Sequence, residues 1–305
     1  MNRTKQENAG DRSRLVKWAA GSLLTVIILA TYWSALAELV RRWYGDPDYV
    51  HGFLVPVFAA WLLWYRREML QSALTPSPSP SRRGENGSLW GLLLIAVAGA
   101  MRMVSSYYYY TLLDPASLIP CLAGLAIFLG GWRAIRWAWP SIVFLIFMVP
   151  LPGFLANLMG GPLQRLATVA STFLIQTIGI SAVAEGNVIS LADSQIGVAE
   201  ACNGLRNMML FLTVCVGFAF VSRRSITEKV IVVLSSAVIA LLANVVRIAI
   251  TAILHQTVSH QVATTLYHDL AGAFMMPLAV VFLWLELAYL NRIFVRQTTD
   301  DPSAA

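Results

Sequence analysis

A chain of 305 residues that is 57% hydrophobic and only 12% charged, with a mean hydropathy of +0.65, is not an ordinary soluble domain, which carries about twice that share of charge. Its apolar runs are too continuous for a transmembrane barrel, whose strands must alternate, and three cysteines are too few for a disulfide framework. The net charge of +6 sits in short basic clusters between apolar runs, where it sets membrane topology rather than contacting nucleic acid.

In chain order the apolar runs cover roughly 18–40, 51–65, 89–105, 112–130, 137–152, 163–183, 204–221, 230–254 and 272–290. Several approach the roughly 20 residues that a helix needs to cross a bilayer. The basic stretch before the first run lacks the shape of a cleavable signal, so that run reads as an uncleaved first span. Two linkers stand out. Residues 72–88 hold the Pro/Ser repeat Thr75-Pro76-Ser77-Pro78-Ser79-Pro80-Ser81 and read as a disordered loop. Residues 185–199 alternate in polarity and have few helix formers, which predicts an ordered loop or a short hairpin. The run Tyr107–Tyr110 suits an outer aromatic belt.

The placement of Lys and Arg decides the sidedness. If 163–183 does not span, the clusters Arg3–Lys17, Arg66–Arg83, Arg133–Arg136, Arg223–Lys229 and Arg292–Arg296 all fall inside. Arg41, Arg42, Arg102, Arg165, Arg206 and Arg247 remain outside or at the edge of apolar runs. If 163–183 did span, the later clusters would invert. The expectation is therefore an all-α polytopic membrane bundle of about eight transmembrane helices, plus a short outer amphipathic or re-entrant helix. It forms one domain over 1–305, with cytoplasmic tails at 1–17 and 295–305, a cytoplasmic loop at 72–88 and an extracytoplasmic segment at 153–201.

This topology gathers reactive side chains at the outer face. Cys202 precedes the sixth span, where a helix N-terminus stabilises a thiolate through its dipole and free N–H groups. Arg206, four residues on, shares its helix face. Cys121 and Cys215 read instead as small packing residues. Asn244 and Arg247 lie three apart on one face of the seventh span. A guanidinium in so apolar a run costs at least ~2.5 kcal/mol near the bilayer centre, so it faces a protein interior or wet cavity unless it snorkels to headgroups. His268 and Asp269 precede the last span, and His51 opens the second after Asp46-Pro47-Asp48. A general base is available in His268, in His255 or His260 nearby, or in His51, which is equally a capping residue; spacing alone does not choose. No metal is expected, because HExxH and a tight His/Cys/Asp cluster are both missing. No Gly-rich phosphate loop or Walker motif is present, so ATP hydrolysis is not expected, and no cofactor is expected.

At these residues the chain resembles the exosortases, a family that also includes the archaeosortases. The matching pieces are Asp48-Tyr49-Val50-His51-Gly52-Phe53-Leu54-Val55-Pro56, then Trp139-Pro140 through Met148-Val149-Pro150-Leu151-Pro152, then Glu200-Ala201-Cys202-Asn203-Gly204-Leu205-Arg206, then Asn244-Val245-Val246-Arg247, and last His268-Asp269-Leu270-Ala271-Gly272. Each is short, but all five stand in order. The resemblance implies a Cys–Arg–His catalytic set at Cys202, Arg247 and His268, with Arg206, Asn244, Asn203, His51 and Asp269 in supporting or substrate-binding positions. It implies a membrane cysteine protease or transpeptidase at the bacterial inner membrane, with both termini inside and the active site outside. Substrates of such enzymes carry a C-terminal signal made of a motif such as Pro-Glu-Pro, a transmembrane helix and a basic tail, and the systems often accompany exopolysaccharide production. One departure is visible: the family commonly has Ser after the cysteine, whereas this chain has Asn203. The rivals are a flippase or transporter for a lipid-linked saccharide, which calls for internal repeats not seen here, and a non-catalytic envelope scaffold.

Overall fold

The computed structural model describes residues 23, 26–69, 83–110, 112–192, 195–198, 204–257 and 277–292. The chain forms two compact units, Met1–Val149 and Pro150–Ala305.

In the first unit, helix α1 covers 26–45. Its buried residues Tyr32, Ala35, Leu39 and Trp43 recur every three to four positions and form one packing stripe. Asp46 ends the helix and starts the next element: its carboxylate accepts from the Asp48 N–H at 2.9 Å and caps the 3-10 turn Pro47–Phe53. Helix α2 (Leu54–Tyr65) follows. Helix α3 (Arg83–Tyr108) begins earlier than the sequence suggests, because residues 83–88, expected in the disordered loop, are already helical. Extending an existing helix inward costs far less than nucleating one, so the apolar run carries the turn before it into the helix. Tyr109, at φ 57°, ends α3, and Tyr107–Tyr110 are all exposed, as an interfacial belt requires.

A single helical turn, Leu113–Ala116, leads to α4 (Leu118–Phe144) and a second 3-10 turn, Leu145–Met148. Here two expected runs, 112–130 and 137–152, form one element broken at Gly131, where φ 65° and ψ −163° interrupt the helix. The halves have different partners. The first packs on α3 through Gly91 and Gly124, whose backbones lie so close that an added Cβ on Gly124 would come 2.7 Å from the Gly91 carbonyl oxygen. The second packs on α2: Trp137 donates its indole N–H to the Leu63 carbonyl at 3.2 Å, and the Phe144 ring lies 4.7 Å from that of Phe58. Arg66, at the end of α2, donates to the Arg136 carbonyl at 3.1 Å.

Arg102, an arginine in an apolar run, is accounted for inside this unit. Its guanidinium lies 2.9 Å from the Asp114 carboxylate, donates to the Thr31 carbonyl and sits 4.3 Å above the Tyr32 ring. The Tyr32 and Ser117 hydroxyls, buried beside it, are 3.0 Å apart.

In the second unit, α5 (Gly153–Thr177) runs through Pro162. Its C-terminal end leads into three short strands: β1 (Ala182–Glu185), β2 (Val188–Leu191) and β3 (Gln195–Gly197), in antiparallel order β1-β2-β3. The expected apolar run 163–183 is thus not one element. Its helix stops at Thr177, and Ala182 and Val183 belong to β1. Gly186, at φ 65°, and Asn187 form the two-residue turn between the first strands, with Glu185 opposite Val188. The sheet lies along α5 and is fastened at both ends. Gln176 Nε2 donates to the Ala182 carbonyl at 2.8 Å, and Asn187 Nδ2 donates to Gln164 Oε1 at 3.1 Å. Ile189, Leu191, Ile196 and Val198 of the sheet segment bury against Ala167 and Ile175 of α5 and Ile248, Ala249 and Ala252 of α7.

Helix α6 (Gly204–Val221), α7 (Ile226–Thr257) and α8 (277–292) form the second core of this unit. Met208, Phe211 and Cys215 of α6 pack with Val232, Ile239 and Ala240 of α7 and Ala279, Leu283 and Leu290 of α8. Helix α7 starts with a capping box: the Ser225 hydroxyl accepts from the Glu228 N–H, and Glu228 accepts in return from the Ser225 N–H. Arg224 ties that start to α8, reaching Glu228 at 2.7 Å and Asn291 Oδ1 at 2.8 Å.

The outward surfaces are apolar. Val230, Leu234, Val238 and Leu242, spaced by one turn, are all exposed on α7. A stripe of this size would be unstable in water and is at home in lipid. Among the described residues three stretches are long and apolar enough to cross a bilayer: Leu89–Tyr108, Leu113–Met148 and Ile226–Leu254. The last two are 36 and 29 residues long. The other expected spans fall short of that test or reach beyond the described residues: α2 has 12 residues, and the apolar part of α6 is Asn207–Val221. Helix α5 is not one of the three.

Candidate active site

Four of the sequence-predicted site residues, Cys202, Asn203, His268 and Asp269, lie outside the described residues, as does His260. Arg206 and His255 are placed in helices by their backbone alone. The expected meeting of sulfur, guanidinium and imidazole therefore falls beyond what is described, while the elements around Cys202 do not. Strand β3 ends at Gly197, five residues before the cysteine, and α6 begins at Gly204, two residues after it. Cys202 thus lies in sequence between β3 and α6, and the first N–H groups of a helix have no intrahelical partner and favour a negative charge.

Asn244 and Arg247 occupy one face of α7, as the three-residue spacing predicts. Asn244 is 2% exposed, and its Oδ1 is sealed from solvent without a hydrogen-bond partner among the described residues. Arg247 is half-buried, and its carbonyl accepts from the Thr251 hydroxyl at 2.9 Å. One turn beyond Asn244, Ile248 is fully buried beneath the sheet and α5. The amide and the guanidinium therefore stand at the edge of the core that carries β3.

A further group was not singled out by the sequence. Gln164, Thr168, Ser171 and Thr172 form a polar stripe on α5: Thr168 lies one turn after Gln164, and Ser171 and Thr172 lie one turn after Thr168. Thr168 and Ser171 are completely buried, and Thr172 nearly so. Both threonines return their hydroxyls to the helix, Thr168 to the Gln164 carbonyl at 2.9 Å and Thr172 to the Thr168 carbonyl at 2.8 Å. The Ser171 Oγ has no such partner among the described residues. An unmatched buried polar atom costs ~1–3 kcal/mol, so the two at Ser171 and Asn244, on helices that pack together, mark a place where packing alone does not account for the sequence. The sequence signal for this group is the set of small hydroxyls Thr168, Ser171 and Thr172 at i, i+3 and i+4, one turn after Gln164.

His51 belongs to the first unit, where it is 6% exposed in the 3-10 turn ahead of α2. Burial pushes its pKa below the usual 6.5, with hydrogen bonding to the backbone of Phe147 and Asp48 pulling the other way. The capping role expected of it at the start of α2 is not filled by a side chain: the N-cap there is Phe53, and Asp46 caps the 3-10 turn before it. His51 instead sits where the two 3-10 turns meet. Beside it Trp43 donates its indole N–H to the Met148 carbonyl at 3.0 Å, and Gly52 lies against the Trp43 ring. Cys121 and Cys215 are buried free thiols, in keeping with the packing role expected of them.

No curated protein and no solved structure matches the chain. A family model described as transmembrane exosortase does match, over residues 43–285. That span takes in the Trp43 and His51 turns, the strand-to-helix connection around Cys202 and the Asn244/Arg247 face, and with it the chain belongs to the transmembrane exosortase family, a group of multi-pass membrane proteins.

Proposed function

We propose that this exosortase is a cysteine-dependent peptidase or transpeptidase. It acts on exported proteins whose C-terminal signal combines a short motif, a transmembrane helix and a basic tail, on the extracytoplasmic side of the bacterial inner membrane. Family membership together with the position of Cys202 directly before α6 carries this reading. The Cys202 thiolate attacks the scissile carbonyl, forming a C–S bond and a tetrahedral oxyanion. Arg247, with Asn244 beside it, offers positive charge and an amide donor to that oxyanion. Its collapse breaks the C–N bond, and His268 delivers the proton that the leaving amine requires. Water or an acceptor amine then attacks the thioester and gives its proton to the now neutral His268, and breaking of the C–S bond regenerates the thiolate. Arg206, Asn203 and Asp269 are assigned supporting positions around the thiol and the imidazole, and no cofactor is invoked.

The test is a Cys202→Ala chain co-expressed with a candidate exported protein bearing such a tail. Membrane insertion and thermal stability should match the parent, while mass spectrometry should find the tail intact. Normal cleavage by the variant would refute the assignment.

A further inference from the structure

The pairing pattern of the sheet turns some backbone groups of each outer strand away from β2. In an antiparallel pair, hydrogen-bonded and non-bonded residue pairs alternate. The Val198 N–H donates to the Asn187 carbonyl at 2.8 Å, and the register sets Ile189 opposite Ile196. Ile196 and Val198 therefore turn their backbone groups toward β2, and Gln195 and Gly197 turn theirs away from it. Among the described residues nothing accepts from or donates to those outward groups.

The two edges of the sheet differ. On β1 the outward carbonyl of Ala182 is occupied by the Gln176 side chain, and α5 flanks the strand. On β3, Gln195 is exposed and Gly197 is half-buried, with no side chain to hold a neighbouring strand away. Proteins ordinarily blunt such an edge with proline, lysine or a bulge; Gln195-Ile196-Gly197 has none of these. A row of alternating N–H and C=O groups at strand spacing is complementary to another extended main chain. The same strand leads, in five residues and so within at most ~18 Å, to Cys202.

We propose that the outer edge of β3 is the substrate-binding edge: an extended segment of the exported protein adds to the sheet as a fourth strand, pairing with the backbone of Gln195 and Gly197 and so presenting its scissile bond to the thiol. This rests on Cys202 being the nucleophile. Strand addition holds a flexible peptide through its backbone, so it fixes the position of a carbonyl without demanding a particular side chain at every position.

The test uses the full chain in lipid nanodiscs and a probe that needs no known substrate: alanine peptides of one to five residues ending in a vinyl sulfone. The thiolate adds to the vinyl carbon, the neighbouring carbon takes a proton, and intact mass reports the rate. Iodoacetamide, which has no main chain to pair, is the control. Labelling by the peptides should accelerate with length. N-methylation of alternate amides should slow it about five- to ten-fold, as the loss of one or two main-chain hydrogen bonds implies, whereas methylation of the intervening amides should not. Gly197→Pro should slow the long peptides and leave iodoacetamide untouched. Should that variant react poorly with iodoacetamide too, the methylation series on the unaltered chain decides. Rates indifferent to length and to the parity of methylation would overturn the proposal. So would a detergent-stable dimer that Gly197→Pro dissociates, since the edge would then pair two copies of the chain. Failure of every reagent to label Cys202 would instead bring down the nucleophile assignment, and the proposal with it.

Discussion

Gly52 shows how a single position fixes geometry. A Cβ added there would come within 2.3 Å of the Trp43 indole nitrogen, the same nitrogen that donates to the Met148 carbonyl. The glycine is needed for close approach, since room for a methyl exists only if the indole leaves its acceptor. Gly52→Ala should therefore cost about 1–3 kcal/mol, read as a lowered Tm in detergent, whereas Gly45→Ala, with open space around it, should change little beyond local helix propensity. Residues of this kind are unevenly legible. Arg247 and Asn244 announce themselves because polar groups in an apolar run need a reason. His51 was visible as a candidate, but its burial at the junction of two 3-10 turns depends on Phe147, nearly a hundred positions away, which no local pattern reveals. Ser171 does not stand out in the sequence, because a helix hydroxyl ordinarily bonds back to its own backbone, as Thr168 and Thr172 do.

Between elements, the contact of α3 with α4 shows what holds apolar helices together where no hydrophobic driving force operates. Gly91 and Gly124 let two backbones touch, so dispersion acts over the whole contact. Gly124→Ala should push the helices apart and cost about 1–3 kcal/mol, with Gly99→Ala as the matched control on a face with open space; a denaturation series in mild detergent would compare the two. The sheet was partly readable: alternation in Val188-Ile189-Ser190-Leu191 and the Gly186-Asn187 turn announce a hairpin. Strand β1 was hidden, because Ala182 and Val183 continue the apolar composition of the helix before them and only the chain reversal separates the two. The break in α4 was expected as a basic connector, and the structure locates it at Gly131, whose positive φ a sequence pattern does not declare.

For the molecule as a whole, charge placement predicts that the 163–183 segment stays on the outer face, and backbone chemistry separately argues against burying the sheet in hydrocarbon. A lipid-exposed sheet edge in hydrocarbon would leave N–H and C=O groups unmatched at several kcal/mol each. The sheet runs back along α5 as far as Gln164, so that length of α5 is expected in the aqueous or headgroup layer. In a Cys202→Ser background, Asn187→Cys should react with an impermeant maleimide added to the periplasmic side, and Lys229→Cys only after permeabilisation. The reverse pattern would mean that α5 crosses the bilayer and that the sidedness assigned from Lys and Arg is inverted.

The hydrogen bond from Trp43 to Met148 joins residues 105 positions apart. During synthesis at 5–20 residues per second, its acceptor follows its donor by roughly 5–20 s. Until then the indole N–H has nothing of its own chain to hold at that place, and the turn bearing His51 and Gly52 lacks its counterpart. The first unit therefore cannot close progressively as it leaves the ribosome; it waits for its last turn, and an arrested nascent chain cut short before Met148 should remain open to protease at the Pro47–Phe53 segment.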